Sequence, residues 1–382
     1  MKYDYIIAGS GCAGLSLLYH ILLHPTLRKK RILVLDMDSK DKNDRTWCFW
    51  EKEKGSFESI VYKKWNTLEF KTENFVNQFD MKDYTYKMIR GIDFYKHIRS
   101  MASAFENVVV RKEKVSTFQV GSDSVQVITE NETYFSEYVF NSTNLLNPKI
   151  DRQNSLLQHF MGWVIKSDQA NFNSDVGTLM DFSLDQKYGT TFMYVLPINS
   201  TEALVEYTLF TEKVLEEGKY VAAIEDYLEN DLGIKSYQIA HREFGVIPMS
   251  KAKFPIHYKE RIINVGTAGG NTKASSGYTF QFIQRNAIQM VTKLANGESP
   301  VLRRSFRQKM FDWYDKTLLD VMLSKKMSGK EIFSTMFRKV SPEKILTFLD
   351  NESSFKEDLQ VMLSVTSSPF VVSGIRQLFQ KE

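Results

Sequence analysis

The sequence predicts an α/β protein: a Rossmann-like dinucleotide-binding unit, a mostly antiparallel sheet inserted into it, and a helical C-terminus. Three patterns lead there. The first 36 residues read as strand, glycine-rich turn, helix, strand and acid. Short apolar segments with polar turns fill the middle of the chain. From about residue 300 the apolar residues recur at helical spacing.

The N-terminal unit is the most specific. Residues 3–8 form a short apolar strand and Gly9-Ser-Gly-Cys-Ala-Gly14 follows at once. Residues 15–23 form a buried helix ending near Pro25, and 31–36 form a second strand. In this pattern Gly9 permits the tight turn, Gly11 lets the backbone approach a pyrophosphate, and Gly14 lets helix and sheet pack closely. The helix N-terminus attracts phosphate charge, and Asp36, 22 residues after Gly14, suits the ribose hydroxyls. A turn that served packing alone would leave Asp36 unexplained. The place of the motif at the head of a long chain favours FAD over NAD, because such flavoproteins enclose the cofactor with distant segments. Residues 261–266 begin one: an apolar strand, the loop Thr267-Ala-Gly-Gly-Asn-Thr-Lys-Ala-Ser-Ser-Gly277, and a helix over 278–295. Gly266, Thr267 and Gly277 are therefore cofactor candidates. So is Arg45 in Asp44-Arg-Thr-Trp-Cys-Phe-Trp50, an arginine among three aromatics.

The remaining elements divide the chain. A strand at 86–90, a helix at 92–104, and strands at 107–111, 115–128 and 138–140 return to the nucleotide unit. Strands at 161–165, 177–181, 191–196 and 203–210 build the inserted sheet, followed by a helix over 221–229 and a return segment at 244–248. The expected division is 1–62, 86–148 and 249–300 for the FAD-binding unit, 63–85 and 149–248 for the substrate sheet, and 301–382 for the helical region.

One residue of that sheet is out of place. In the hairpin 191–210, Ala203, Val205, Tyr207 and Leu209 point one way, and Leu204, Glu206, Thr208 and Phe210 the other. Glu206 is the one acid inside either strand. Burial raises a carboxyl pKa, and a neutral acid can donate a proton. The alternative is a glutamate paired with an arginine or set at a sheet edge. Glu243 is a second candidate acid, although Arg242 beside it suggests an ion pair. Trp163, Phe192, Tyr194, Tyr207 and Phe210 are candidates for lining an apolar cavity.

Composition narrows the function classes. The chain is 43% apolar and 25% charged, ordinary for a soluble globular protein, and a net charge of +4 does not argue for nucleic acid. Its two cysteines, Cys12 and Cys48, make neither a disulfide framework nor a metal-ligand spacing, which fits a reducing cytosol. The N-terminus enters a strand without a secretory signal, and no run approaches the roughly 18 apolar residues of a membrane span. Toward the C-terminus, Phe306, Met310, Trp313, Tyr314 and Val321, then Phe333, Met336, Phe337 and Val340, form apolar stripes. They lie among Lys325, Lys326, Lys330, Arg338 and Lys339. Such a stripe faces a core or docks on an anionic membrane surface.

Several segments, in order over about residues 1–282, resemble the flavin-dependent lycopene β-cyclases. They are 44–50, Leu157-Gln-His-Phe-Met-Gly-Trp163, Tyr194-Val-Leu-Pro197, Ala203-Leu-Val-Glu-Tyr-Thr208, Glu243-Phe-Gly-Val-Ile-Pro248, and Gly266-Thr-Ala-Gly269 with Ser276-Gly-Tyr278. The C-terminal helices match only loosely. The resemblance implies a flavin-hydroxylase or geranylgeranyl-reductase type of fold, with reduced FAD as cofactor and NAD(P)H as its reductant. It implies conversion of lycopene through γ-carotene to β-carotene with no net redox change, and it gives the family's essential carboxylate position to Glu206. It also implies a protein held peripherally at the inner face of the cell membrane, with other carotenoid enzymes as candidate partners. The chain departs from many flavin hydroxylases in carrying Gly266-Thr267 rather than Gly-Asp, which favours a cyclase. The loop 270–277 lacks the proline that family members often carry. The rival readings are a flavin-dependent reductase or hydroxylase of an isoprenoid chain, and a non-enzymatic prenyl-chain binder on the same plan. The cyclase mechanism this implies is a proton from Glu206, a carbocation stabilised by aromatic faces, and a reduced flavin adding negative charge beside it.

Overall fold

The computed structural model of the chain describes residues 2–365 and 368–379. β1 (Lys2–Ala8), α1 (Cys12–Leu23) and β2 (Ile32–Asp36) form the expected βαβ unit, with β1 and β2 parallel. Next come β3 (Thr46–Glu51), β4 (Lys63–Trp65), β5 (Thr67–Thr72), β6 (Phe75–Asp80) and β7 (Thr85–Arg90). α2 (Gly91–Ala102), β8 (Val108–Lys112), β9 (Val115–Val120), β10 (Val125–Thr129) and β11 (Thr133–Asn141) follow. β12 (Ser155–Ser167), β13 (Val176–Asp181), β14 (Thr190–Pro197), β15 (Glu202–Thr211), α3 (Glu217–Asp226) and β16 (Tyr237–Ser250) form the inserted part. The chain then returns through β17 (His257–Tyr258), β18 (Ile262–Asn264) and α4 (Phe280–Ala295). It ends in α5 (Phe306–Leu323), α6 (Gly329–Lys339), α7 (Pro342–Leu349), α8 (Phe355–Ser364) and α9 (Ser368–Phe379).

The first sheet runs β17-β18-β11-β1-β2-β8, with β9 and β10 as an antiparallel extension on β11. Its central strands are Ile-, Val- and Leu-rich, as strands covered on both faces must be. α1, α2 and α4 pack on one face through Leu18, Ile98, Phe94 and Ala287. The second sheet runs β16-β12-β15-β14-β13-β5-β6 and is antiparallel except between β13 and β5. β3, β7 and β4 form a small third sheet, so residues 63–65 pair with β7 rather than with β5.

The second sheet has two covered faces. α3 closes the outer one over Trp163, Tyr207 and Leu209. On the inner face, α5 to α8 pack against Phe192, Phe210 and Leu179. α5, α6 and α8 each begin with a full capping box, Ser305 with Gln308, Ser328 with Glu331, and Ser354 with Glu357. Each cap is worth about 1 kcal/mol to the helix it starts.

Three element readings change. The strand expected over 115–128 is a hairpin of β9 and β10, turned over 121–124. The return segment 244–248 is the end of a 14-residue strand, β16, whose exposed edge position leaves Phe244 and Val246 in solvent and blurs the apolar alternation. The helix expected over 221–229 starts at Glu217 and ends in a π-turn over Tyr227–Asp231. Of the two alternatives for the α6 stripe, packing wins: Phe333, Met336 and Phe337 are core residues. Among the described residues no helix is long and apolar enough to cross a membrane.

A candidate active site between the two sheets

Three neighbouring strands bring two carboxyls together. β15 and β16 flank β12, and the registers set both Glu206 and Glu243 opposite Gly162. Period-two alternation sends both side chains to the inner face. Glu206 Oε1 accepts a hydrogen bond from Thr208 Oγ1 at 3.1 Å, and Glu243 Oε2 accepts one from Thr46 Oγ1 at 2.7 Å. The two carboxyls stand close enough to couple, and each shifts the titration of the other. Glu243 is buried. Glu206 is half-buried, its remaining surface opening on a cavity.

Burial pushes the Glu206 carboxyl well above the usual carboxylate range, and the charge of Glu243 adds to it. Burial also raises Glu243, against the Thr46 hydrogen bond and the more distant Arg45 charge, which favour its ionised form. Among the described residues neither carboxyl makes an ion pair. The arginine next in sequence does not help: Arg242 points to the other face, its guanidinium 5.0 Å from the Trp163 ring centre. The expected Arg242–Glu243 pairing is therefore corrected by strand alternation. The pair instead resembles two acids sharing one proton, which suits a group that gives a proton up and takes it back.

The cavity beside the pair has a volume of about 450 Å³. Glu206, Glu243, Tyr194, Leu204, Cys48 and Tyr86 line one part of it. Gly11, Arg45, Gly266, Thr267, Gly277 and Tyr278 line another. Cys48 is an inert thiol here: burial raises its pKa first, and the two carboxyls raise it further.

The second part fits a dinucleotide flavin. Gly11, the residue that caps α1, has no side-chain partner for the first turn and open space where a Cβ would stand. The free N–H groups of the α1 N-terminus are therefore available to a pyrophosphate. Gly14 cannot be larger, since a Cβ would lie 2.0 Å from the Gly9 carbonyl oxygen. Gly277 has φ +73° and abuts Gln158 Oε1. Gln158 Oε1 and Ser276 Oγ are buried on this wall with no hydrogen-bond partner among the described residues, as expected of groups that await a polar ring. Asp36, at the end of β2, accepts from Ser10 N at 2.6 Å and Ser10 Oγ at 2.9 Å. These bonds tie the acid to the glycine-rich turn.

The sequence candidates thus separate. Gly11, Arg45, Gly266, Thr267, Gly277, Tyr194, Glu206 and Glu243 meet on one cavity. Gly9 and Gly14 shape the turn behind it. Phe192 and Phe210 share the face of Glu206 but are packed into the core against Phe182 and Phe333. Trp163 and Tyr207 lie on the opposite face with α3, so they line no cavity with Glu206. Odd–even position carried that information: 163 and 207 are out of phase with 206 and its neighbour 162. Thr46, Cys48, Gln158, Ser276 and Tyr278 are site residues that sequence reasoning did not single out for the site. All five sit in quoted segments, but nothing local marks which way they face.

A Rossmann-like sheet, an inserted antiparallel sheet and a cavity between them define the architecture of FAD-dependent monooxygenases and geranylgeranyl-reductase-like flavoproteins. A geranylgeranyl bacteriochlorophyll reductase-like protein of Thermoplasma acidophilum superposes with a TM-score of 0.61 at 13% identity, covering 99% of each chain. A flavoprotein/dehydrogenase of Cytophaga hutchinsonii gives 0.65 at 10% identity over 100% of both. Klebsiella pneumoniae HpxO, complexed with FAD and uric acid, gives 0.64 at 12% identity over 92% of this chain and 96% of its own. No curated protein matches the chain. The family model "Lycopene cyclase protein" matches residues 4–375, and the chain belongs to that family.

Proposed function

We propose that the protein is a lycopene β-cyclase that uses Glu206 as acid and base with Glu243 as its partner. The observation that carries this reading is a carboxyl pair, buried without an ion pair, on the wall of an aromatic cavity that also holds a dinucleotide cradle. A hydrocarbon substrate offers no polar handle, so a neutral acid held in place and the shape of the cavity must do the work. Glu206 gives its proton to C2 of the ψ end group. The C1–C6 bond then closes and leaves a tertiary cation at C5. Loss of the C6 proton forms the C5–C6 double bond of the β ring, and the now anionic carboxyl pair is the base nearest at hand. Tyr194, Tyr86 and Trp47 offer ring faces to the cation from the cavity wall. Reduced FAD, when bound, would supply negative charge beside that cation, held by the α1 N-terminus, Asp36, Thr267 and the Ser276–Gly277 wall. Glu243 and Thr46 hold the Glu206 proton in place.

The reading includes NAD(P)H as an external reductant that is not consumed in proportion to product. It also includes peripheral contact with the inner face of the cell membrane, where lycopene and γ-carotene dissolve. The surface that supports this is not the α6 stripe. Phe355, Leu359 and Leu363 on α8, and Val371, Ile375, Leu378 and Phe379 on α9, are exposed at helical spacing, with Lys356 beside them.

The test is expression in lycopene-making cells with pigment analysis, followed by the NAD(P)H consumed per product on purified protein. Cyclic carotenes with almost no NAD(P)H consumed support the reading. One NAD(P)H per product would favour a flavin-dependent reductase or hydroxylase of an isoprenoid chain, and no product with no yellow cofactor would favour a prenyl-chain binder.

A further inference from the structure

Gly162 has no backbone reason to be glycine. It lies in the middle of β12, paired on both sides, and its φ is outside the left-handed region. A glycine inside a strand weakens it and commonly marks a close approach. The close approach here is between side chains. A Cβ on residue 162 would lie 3.1 Å from Glu243 Cγ, 3.1 Å from Leu204 Cδ1 and 3.2 Å from Glu206 Oε2. Its neighbours on the same face of β12, Phe160 and Val164, carry full side chains. The gap in the β12 row falls where the two acids stand, one on each flanking strand.

We infer that Gly162 is a positioning residue, whose missing side chain opens the space in which the Glu206 and Glu243 carboxyls meet across β12. A side chain there would stand between them, turn them apart and leave two separate buried acids. The pair would then no longer share a proton, and Glu243 would no longer be placed to restore it after each turnover. This inference rests on the proposed acid role of Glu206.

The substitution Gly162→Ala adds one methyl group. The atoms it meets are all side-chain atoms, so the sheet can keep its register. The variant is expected to bind FAD and melt close to wild type. Its kcat should fall about 100-fold, the scale of a misplaced proton donor, with little change in KM. The alkaline limb of its pH–rate profile should move to lower pH, because Glu206 loses the neighbouring charge that helps keep it protonated. In a Glu243→Gln background, where no pair exists, the same alanine should cost less than about 3-fold. Leu204→Ala combined with Gly162→Ala relieves crowding, so a fold lost to steric pressure returns while the acids stay apart.

Wild-type turnover and an unmoved pH profile in Gly162→Ala, beside an inactive Glu206→Gln, would overturn this inference and leave the acid role standing. So would an equal cost of the alanine with and without Glu243, or a loss of fold that Leu204→Ala does not repair. Turnover by Glu206→Gln would instead remove the reading on which the inference rests.

Discussion

On the outer face of the second sheet, Asp181 is fully buried but meets the Tyr227 hydroxyl at 2.7 Å and Lys71 Nζ at 3.2 Å. His159, also on that face, is held between Tyr220 Oη and Thr211 Oγ1, each at 2.6 Å, and burial lowers its pKa to about 4. On the inner face, Glu206 and Glu243 lie against each other with no ion pair to either among the described residues. Both faces enclose ionisable groups in a low-dielectric setting. One neutralises or pairs them and gains a rigid layer under α3. The other leaves a proton shared between two acids next to open space, which weakens the fold and suits chemistry. Burial alone therefore does not mark the site; burial without compensation does.

Four changes test that contrast, the largest first. Glu206→Gln should abolish cyclisation, a loss of about 10³-fold or more by the usual range for a positioned acid, while FAD absorbance stays. Pigment analysis and the flavin spectrum read both. Its effect on stability has a defined sign. A folded-state carboxyl pKa raised above 4.5 stabilises the fold at low pH, and that contribution is lost as pH rises through the folded value. Removing the carboxyl should therefore raise Tm at neutral and alkaline pH, and a lower Tm there would break the contrast between faces.

Glu243→Gln should cost about 10²-fold in turnover and move the alkaline limb to lower pH, since the charge of Glu243 helps keep Glu206 protonated. A rate unchanged across pH would make Glu206 act alone. Asp181→Ala should do the reverse. It leaves Lys71 and Tyr227 without their buried partner and should cost roughly 3–5 kcal/mol in a denaturant titration, with turnover per folded molecule preserved. His159 gives the smallest signal. It stays neutral when folded but binds a proton near pH 6.5 when unfolded, so its share of stability is present above 6.5 and is lost as pH falls toward about 4. Replacing it with glutamine should flatten the decline of Tm across that window without changing the product.

The nucleotide unit was readable because its signals are local. Gly9, Gly11, Gly14 and Asp36 each act within one βαβ turn, and their order in the chain is their order in space. Glu206 was readable because an acid in an apolar strand breaks a short-range rule. The wall of the cavity was not. Gln158, Ser276 and Thr46 lie far apart in the chain, and a glutamine, a serine and a threonine break no pattern. Aromatic character alone points Trp163 and Tyr207 to the cavity, and the two-residue period of the strand overrules it. The same period separates Arg242 from Glu243: adjacent residues on a strand face opposite ways. The edge strand β16 escaped notice because solvent on one side leaves Phe244 and Val246 exposed and removes the contrast that alternation needs.

The lack of an ion pair at Glu206 and Glu243 also sets how the protein responds to ionic strength. Dissolved ions screen charges that water can reach, and the Debye length is about 8 Å at 0.15 M salt. Glu243 is enclosed by protein, Glu206 opens only on the cavity, and neither depends on a bonded arginine or lysine whose attraction salt could weaken. The chemical step should be nearly indifferent to added salt. Any attraction of Lys356 to acidic lipids should fade with it. A salt series on micelle-dissolved carotene and on anionic vesicles would thus separate reaching the substrate from converting it.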